Sequence, residues 1–289
     1  MSNRLALGTV QFGLRYGVAN ELGQISREGA AMILERARSA EIDTLDTAIS
    51  YGESEKVLGD VGVAQWRVVT KLPPLPNDAE LEPWVLDSVR ESLERLGIPK
   101  LYGLLLHRPE QLLGARGDSL YRGLLMLKEQ GKVVNIGISV RDPSELDAIW
   151  PRYRFDLIQA PFNVLDRRLA DSGWLNRLSD ERVEVHVRSV FLQGLLLVHP
   201  SRLPAKFARW RPLWQDWHRW LNENKLSALH ACLGFALSAP QIMRVLVGVD
   251  SRAQLEEILA SATDVSQVPP ISLACADLNL INPSRWDCL

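Results

Sequence analysis

At 289 residues the chain can hold two average domains or one α/β barrel, a fold that takes about 250 residues. Hydrophobic residues make up 46% and charged residues 24%, enough apolar material for a sizeable core, which excludes a disordered chain. The formal net charge of −2 gives no strong field, so neither nucleic acid nor an anionic membrane surface is expected as a partner.

Leu5–Thr9 is a short apolar run that predicts a first strand, followed by a polar, glycine-rich loop over Gln11–Gly23. Ser26 is placed to cap a helix whose apolar residues Ala30, Ile33, Leu34 and Ala37 recur at helical spacing. A second strand ends at Asp46, Ser54 is expected to cap the next helix, and Val68–Lys71 reads as a third strand stopped by Pro73 and Pro74. Val85, Leu86, Val89, Leu93 and Leu96 form an amphipathic stripe that Gly97 terminates. Leu101–Leu106 is an almost unbroken apolar run, as expected for a parallel strand buried on both faces, with His107 at its end.

The alternation continues through a helix at Tyr121–Gln130, a strand at Val133–Ser139 and a helix at Ser144–Trp150. Phe155–Ala160 and Val183–Ser189 read as strands with helical Trp174–Leu178 between them. An apolar helix at Ser227–Ser238, a strand at Arg244–Val249 and a helix at Ser251–Ser261 complete the series. Eight strands alternating with eight helical patterns predict a parallel sheet with crossover helices, closed into a single (β/α)8 barrel over residues 1–289. An open doubly wound sheet is the competing architecture, but the first strand-to-helix turn carries no G-x-G-x-x-G.

One tract interrupts the rhythm, at about residues 193–225. It holds Trp210, Trp214, Trp217 and Trp220, spaced as on one helix and interleaved with arginines. A plain hydrophobic anchor is the favoured reading and a lid over the barrel mouth the other. Cys232, Cys275 and Cys288 share no C-x-x-C spacing, so neither a zinc site nor a disulfide framework is indicated. With no signal-like or membrane-spanning stretch, a cytoplasmic placement is expected, and nothing specifies the oligomeric state.

Chemistry concentrates at the C-terminal ends of the strands, where barrels of this kind carry their active sites. Asp46 follows the second strand, Tyr51 lies in the loop beyond it, Lys71 ends the third strand and His107 the fourth. A tyrosine's ordinary pKa of about 10 is high for proton exchange near neutrality, and a close ammonium favours its phenolate. A buried lysine in turn needs a counter-charge, which gives Asp46 its role, while His107 can orient a carbonyl oxygen beside Tyr51.

The run TLDTAISYGESEKVLG, Thr44–Gly59, resembles the signature of the aldo-keto reductases, and the four residues match that family's Asp, Tyr, Lys and His tetrad. The resemblance covers roughly Leu5–Ala262. It implies a nicotinamide cofactor, NADPH or NADH, and a small-molecule carbonyl substrate reduced with Tyr51 as general acid. It further implies that Ser139, Gln159 and Asn163 hold the nicotinamide, with Thr9 and Ser189 in the same cofactor set. Gly248, Asp250, Ser251, Arg252 and Gln254 of GVDSRAQ fall on the family's phosphate segment, where the helix N-terminus offers backbone N–H groups.

The chain departs from the family at several points, Ile258 among them, where an asparagine is often found at the adenine. Arg188 stands where many members place an aromatic on the nicotinamide ring, and Asp250 where many place an arginine for the 2′-phosphate of NADP. Only three residues precede Arg4, leaving no room for the hairpin that plugs the barrel floor in many members. The tail from Thr263 is expected to serve at most as a closing segment. A cofactor-sensing subunit of the same fold, or a sugar-modifying isomerase or lyase on the same barrel, stand as the other readings.

Overall fold

The computed structural model describes residues 4–18, 20, 22–76, 80–262 and 268–288. Eight strands, β1 (Leu5–Gly8), β2 (Thr44–Asp46), β3 (Arg67–Leu72), β4 (Leu101–Leu106), β5 (Val133–Ser139), β6 (Leu157–Pro161), β7 (Glu184–Arg188) and β8 (Arg244–Gly248), form a closed parallel barrel in sequence order. Closure is made by β1 against β8, with Leu5 opposite Val245 and Gly8 opposite Gly248, so the open doubly wound alternative is excluded. The apolar strands are buried because helices cover the outside of the barrel, while Val69, Leu105 and Leu157 form a separate small cluster within the sheet.

The cap expected at Ser26 holds, and two further serines cap their helices in the same way. Ser26, Ser227 and Ser251 accept hydrogen bonds from the backbone N–H of Gly29, His230 and Gln254, each satisfying one orphan donor of a first helical turn. Ser54 does not cap. It is the first residue of the helix Ser54–Val61, and its buried hydroxyl instead meets Thr9 O at 2.8 Å and the hydroxyls of Thr9 and Thr47.

The segment predicted as loop from Gln11 contains a helical turn, Val10–Gly13, packed under the Tyr51 loop. A side chain at position 13 would place its Cβ 1.7 Å from Tyr51 O, so only glycine allows this approach.

The tryptophan tract forms short turns and then the helix Arg211–Asn224, with Trp214, Trp217 and Leu221 buried. Trp217 Nε1 donates to Leu196 O at 3.1 Å and Trp214 Nε1 to Phe207 O at 3.3 Å, so these rings close the tract's own core. The remainder of the C-terminal tail returns over this tract: Trp210 Nε1 donates to Asp277 Oδ2, and the Phe207 and Trp286 rings meet edge to face at 4.8 Å. Residues 263–267 of the expected closing segment lie outside the described residues.

At the opposite end of the barrel, polar groups fill the floor: Tyr102 donates to Glu184 Oε2, His186 Nε2 lies 2.8 Å from Glu184 Oε1, and Arg244 is bidentate on Asp43. Among the described residues no helix is long and apolar enough to cross a membrane.

Candidate active site

The parallel register sets Asp46 beside Val69, and the two-residue period of a strand then brings Lys71 to the same face one step nearer the mouth. Lys71 Nζ reaches Asp46 Oδ1 at 2.6 Å and Thr47 O at 2.8 Å, with the lysine 1% exposed. Burial disfavours the ammonium, but the Asp46 charge, Tyr51 and the hydrogen bond to Asp46 together outweigh it and hold the Lys71 pKa above its ordinary value. The lysine is therefore a fixed cation.

Tyr51 is delivered by the turn that Gly13 supports. Its ring centroid lies 5.1 Å from Lys71 Nζ, and the His107 ring stands edge-on to it at 6.1 Å between centroids. Burial, and then the positive charges of Lys71, Arg188, Arg141 and Arg108, push the His107 pKa down to about 3. Its imidazole is neutral and offers one N–H and one lone pair; Nδ1 lies 3.4 Å from Ser50 Oγ. All four predicted catalytic residues thus meet at one end of the barrel.

The next residues of the signature are structural. Glu55, 2% exposed, accepts from Thr70 and Ser92 hydroxyls on one oxygen and pairs with Arg95 at 2.8 Å on the other, tying this helix to the helix Leu81–Leu96.

Ser139 and Gln159 line the same cavity, and they are also bonded to one another and to the tetrad. Ser139 Oγ donates to Gln159 Oε1 at 3.2 Å, and Gln159 Nε2 donates to Asp46 Oδ2 at 2.6 Å. The sequence gives no sign of this second task, since the partners lie on β2, β5 and β6. Asn163 is elsewhere. It is fully buried, accepts from the backbone N–H of Leu165 and Asp166 and donates to Ser189 O, so its side chain shapes the turn after β6 and does not line the cavity.

The cavity, about 650 Å³, runs from Tyr51 and His107 to the end of β8, where Gly248, Asp250 and Gln254 line it with Thr9 and Ser189 on its walls. Gln254 Oε1 accepts from the Asp250 backbone N–H, and Asp250 Oδ1 accepts from Asn20 Nδ2 at 3.0 Å. Burial raises the Asp250 pKa. Ser251 and Arg252 do not line the cavity: Ser251 caps its helix, and Arg252 turns to Glu256 at 3.2 Å.

Sequence reasoning missed Gln11, which lies in the segment read as loop. Its amide crosses the end of β8, where a Cβ on Gly248 would stand 2.7 Å from Gln11 Nε2, and its buried Oε1 has no hydrogen-bond partner among the described residues. An orphaned acceptor on the wall of a long cavity is what a ligand rich in hydroxyl and amide donors requires, and a nicotinamide nucleotide is such a ligand. The tail residues Asn282, Pro283 and Ser284 also reach the cavity, which no local pattern announced.

The family model for the aldo/keto reductase family matches residues 4–268 of this chain. The chain belongs to the aldo/keto reductase family. Like its relatives it is an oxidoreductase acting on carbonyl compounds. It is 26% identical to a D-threo-aldose 1-dehydrogenase from a Pseudomonas species over 303 residues, covering 87% of this chain and 89% of that one. It is 30% identical to an aldo-keto reductase from Mycolicibacterium vanbaalenii over 131 residues, 44% of this chain and 46% of that one. In structure it resembles the holo form of an aldo-keto reductase from Bacillus halodurans, with a TM-score of 0.72, 20% identity and coverage of 91% of this chain and 88% of the other. At that identity the likeness speaks for the barrel.

Proposed function

We propose that this aldo/keto reductase reduces an aldehyde or ketone with NADH as the better cofactor, or runs the reverse oxidation, with Tyr51 as general acid. The observation that carries this reading is the buried Asp46–Lys71 pair with the Tyr51 ring over its ammonium and a neutral His107 beside it. A bound nicotinamide cofactor supplies the hydride. Tyr51 gives its hydroxyl proton to the carbonyl oxygen, and Lys71, kept charged by Asp46, stabilises the phenolate left behind. Neutral His107 donates its N–H to the same oxygen and orients it. In this reading Gln159 has two tasks, fixing the second oxygen of Asp46 and offering its remaining N–H to the cofactor amide, while Ser139, whose one hydroxyl hydrogen goes to Gln159, offers the amide an oxygen lone pair.

NADH is favoured because Asp250 lines the far end of the cavity while Arg252 is engaged by Glu256 away from it. A carboxylate there accepts from a ribose hydroxyl and repels a 2′-phosphate. The cytoplasmic placement belongs to the same proposal, on the ground that the cysteines lack the spacing of a disulfide framework.

The test is NADH oxidation with a panel of aldehydes, ketones and sugars. Tyr51→Phe is expected to lower kcat by about 10²-fold or more while NADH affinity changes little. A variant within a few-fold of wild type removes Tyr51 as the acid, and cofactor binding without turnover on any carbonyl compound would favour a sensing role.

A further inference from the structure

We infer that the carbonyl substrate carries an anionic group, a carboxylate or a phosphate, held by Arg188 with Arg141 beside it. This rests on the carbonyl-reducing reading above and names its substrate class.

Arg188 ends β7, yet its guanidinium crosses β6: Nη2 donates to Val140 O, just past β5, at 2.9 Å, and Nη1 to Ser189 Oγ at 3.3 Å. Both partners are neutral, and among the described residues no carboxylate lies within ion-pair distance of it. A half-buried guanidinium normally has an acid to pair with, because leaving water costs free energy that neutral oxygens only partly offset. Arg188 faces the cavity without one.

Its surroundings add to the positive charge. Arg141, after β5, lines the same cavity and shares a single acid, Glu110, at 3.8 Å with Arg108 at 3.4 Å. Lys71 is neutralised by Asp46 and Arg141 also feels the nearby Glu145 carboxylate, which leaves Arg188 as the cation beside His107 with no paired acid among the described residues. The His107 imidazole registers this field, being lowered first by burial and then by these cations. The acids that line the cavity without a cation, Asp250 and Glu257, belong to the segment after β8, so the cavity is acidic toward the expected nucleotide end and basic beside the tetrad.

An anion a few bonds from the reacting carbonyl therefore finds at Arg188 a planar donor set suited to bidentate contact with carboxylate or phosphate oxygens. A neutral aldehyde leaves that guanidinium as it is in the free protein.

The experiment compares kcat/KM with NADH for two matched pairs, butyraldehyde with succinic semialdehyde and glyceraldehyde with glyceraldehyde 3-phosphate. Wild type is expected to favour at least one acidic member by about tenfold or more, and Arg188→Gln to reduce that ratio to within about twofold of unity. Which pair shows the preference identifies carboxylate or phosphate. Arg141→Gln, outside the barrel strands, should lower the ratio severalfold and serves if Arg188→Gln does not fold. Equal rates for acidic and neutral members in wild type overturn the inference. So does a ratio that survives Arg188→Gln, or a loss shared equally by both members with weakened NADH binding, which would assign Arg188 to the cofactor. If no carbonyl compound is turned over the parent reading fails by itself, and calorimetry of the protein with NADH decides this one. Butyrate binding about tenfold more tightly than butyramide, lost in Arg188→Gln, sustains it, and equal affinities overturn it.

Discussion

Lys71 and Asp46 are worth more to each other than either is alone. Lys71→Met leaves a buried carboxylate still bonded to Gln159 but without its counter-charge, so stability is expected to fall by about 3–5 kcal/mol along with turnover. The double change Asp46→Asn with Lys71→Met should restore much of the melting temperature and none of the activity, read by calorimetry and by NADH oxidation. His107 gives a prediction of opposite character. Its folded pKa of about 3 lies below the ordinary 6.5, so between these values the unfolded chain binds a proton that the native protein does not. Stability contributed by neutral His107 is complete above pH 6.5 and is lost as pH falls toward 3; a melting curve series from pH 7 to 4 should flatten in His107→Asn relative to wild type. The tetrad was legible in the sequence because each member is a polar residue at the end of, or just beyond, an apolar strand. The second bonds of Ser139 and Gln159 and the orphaned Gln11 were not, since each depends on which strands become neighbours across the mouth. The bonds of Asn163 were hidden by the same gap: adjacency to β6 does not reveal that its side chain turns inward to hold backbone.

Among the elements, strands and outer helices follow from periodicity, and the differences are of a few residues, such as the helix expected from Tyr121 that begins at Gly117. The helix Arg211–Asn224 is a sharper case. Its tryptophan spacing was readable, but two functions fitted it, and the structure favours the anchor: none of the four tryptophans lines the cavity. Trp217 is fully buried with its indole N–H bonded to Leu196 O, so Trp217→Ala should cost about 3–5 kcal/mol and lower the melting temperature while KM for the carbonyl substrate changes little. A raised KM at unchanged melting temperature would instead restore the lid. The tail could not be read because its partners are remote in sequence: Asp277 is held by Trp210, Cys275 N–H by Leu165 O, and the carbonyls of Pro269 and Pro270 by Arg167.

At the scale of the whole molecule, the loop after β1 spans the mouth. Val18 N–H donates to Gln193 O, Gln193 Nε2 to the Tyr16 hydroxyl, and Asn20 Nδ2 to Asp250 Oδ1, so one segment is fastened to the excursions after both β7 and β8. Asp250→Arg is expected to move preference from NADH toward NADPH, measured by fluorescence titration of both reduced cofactors. It must also release Asn20, so amide exchange at Val18 should quicken in the variant. On the proposed reading Asp250 both meets the nucleotide and fastens a loop, so two properties are tied to one side chain. Changing cofactor in this barrel is accordingly a two-site problem: Asp250→Arg alone trades loop order for a new preference, whereas pairing it with Asn20→Asp rebuilds the fastening with donor and acceptor exchanged. A lineage or an engineer crossing from one nucleotide to the other would have to pass through that loosened intermediate or change both positions together.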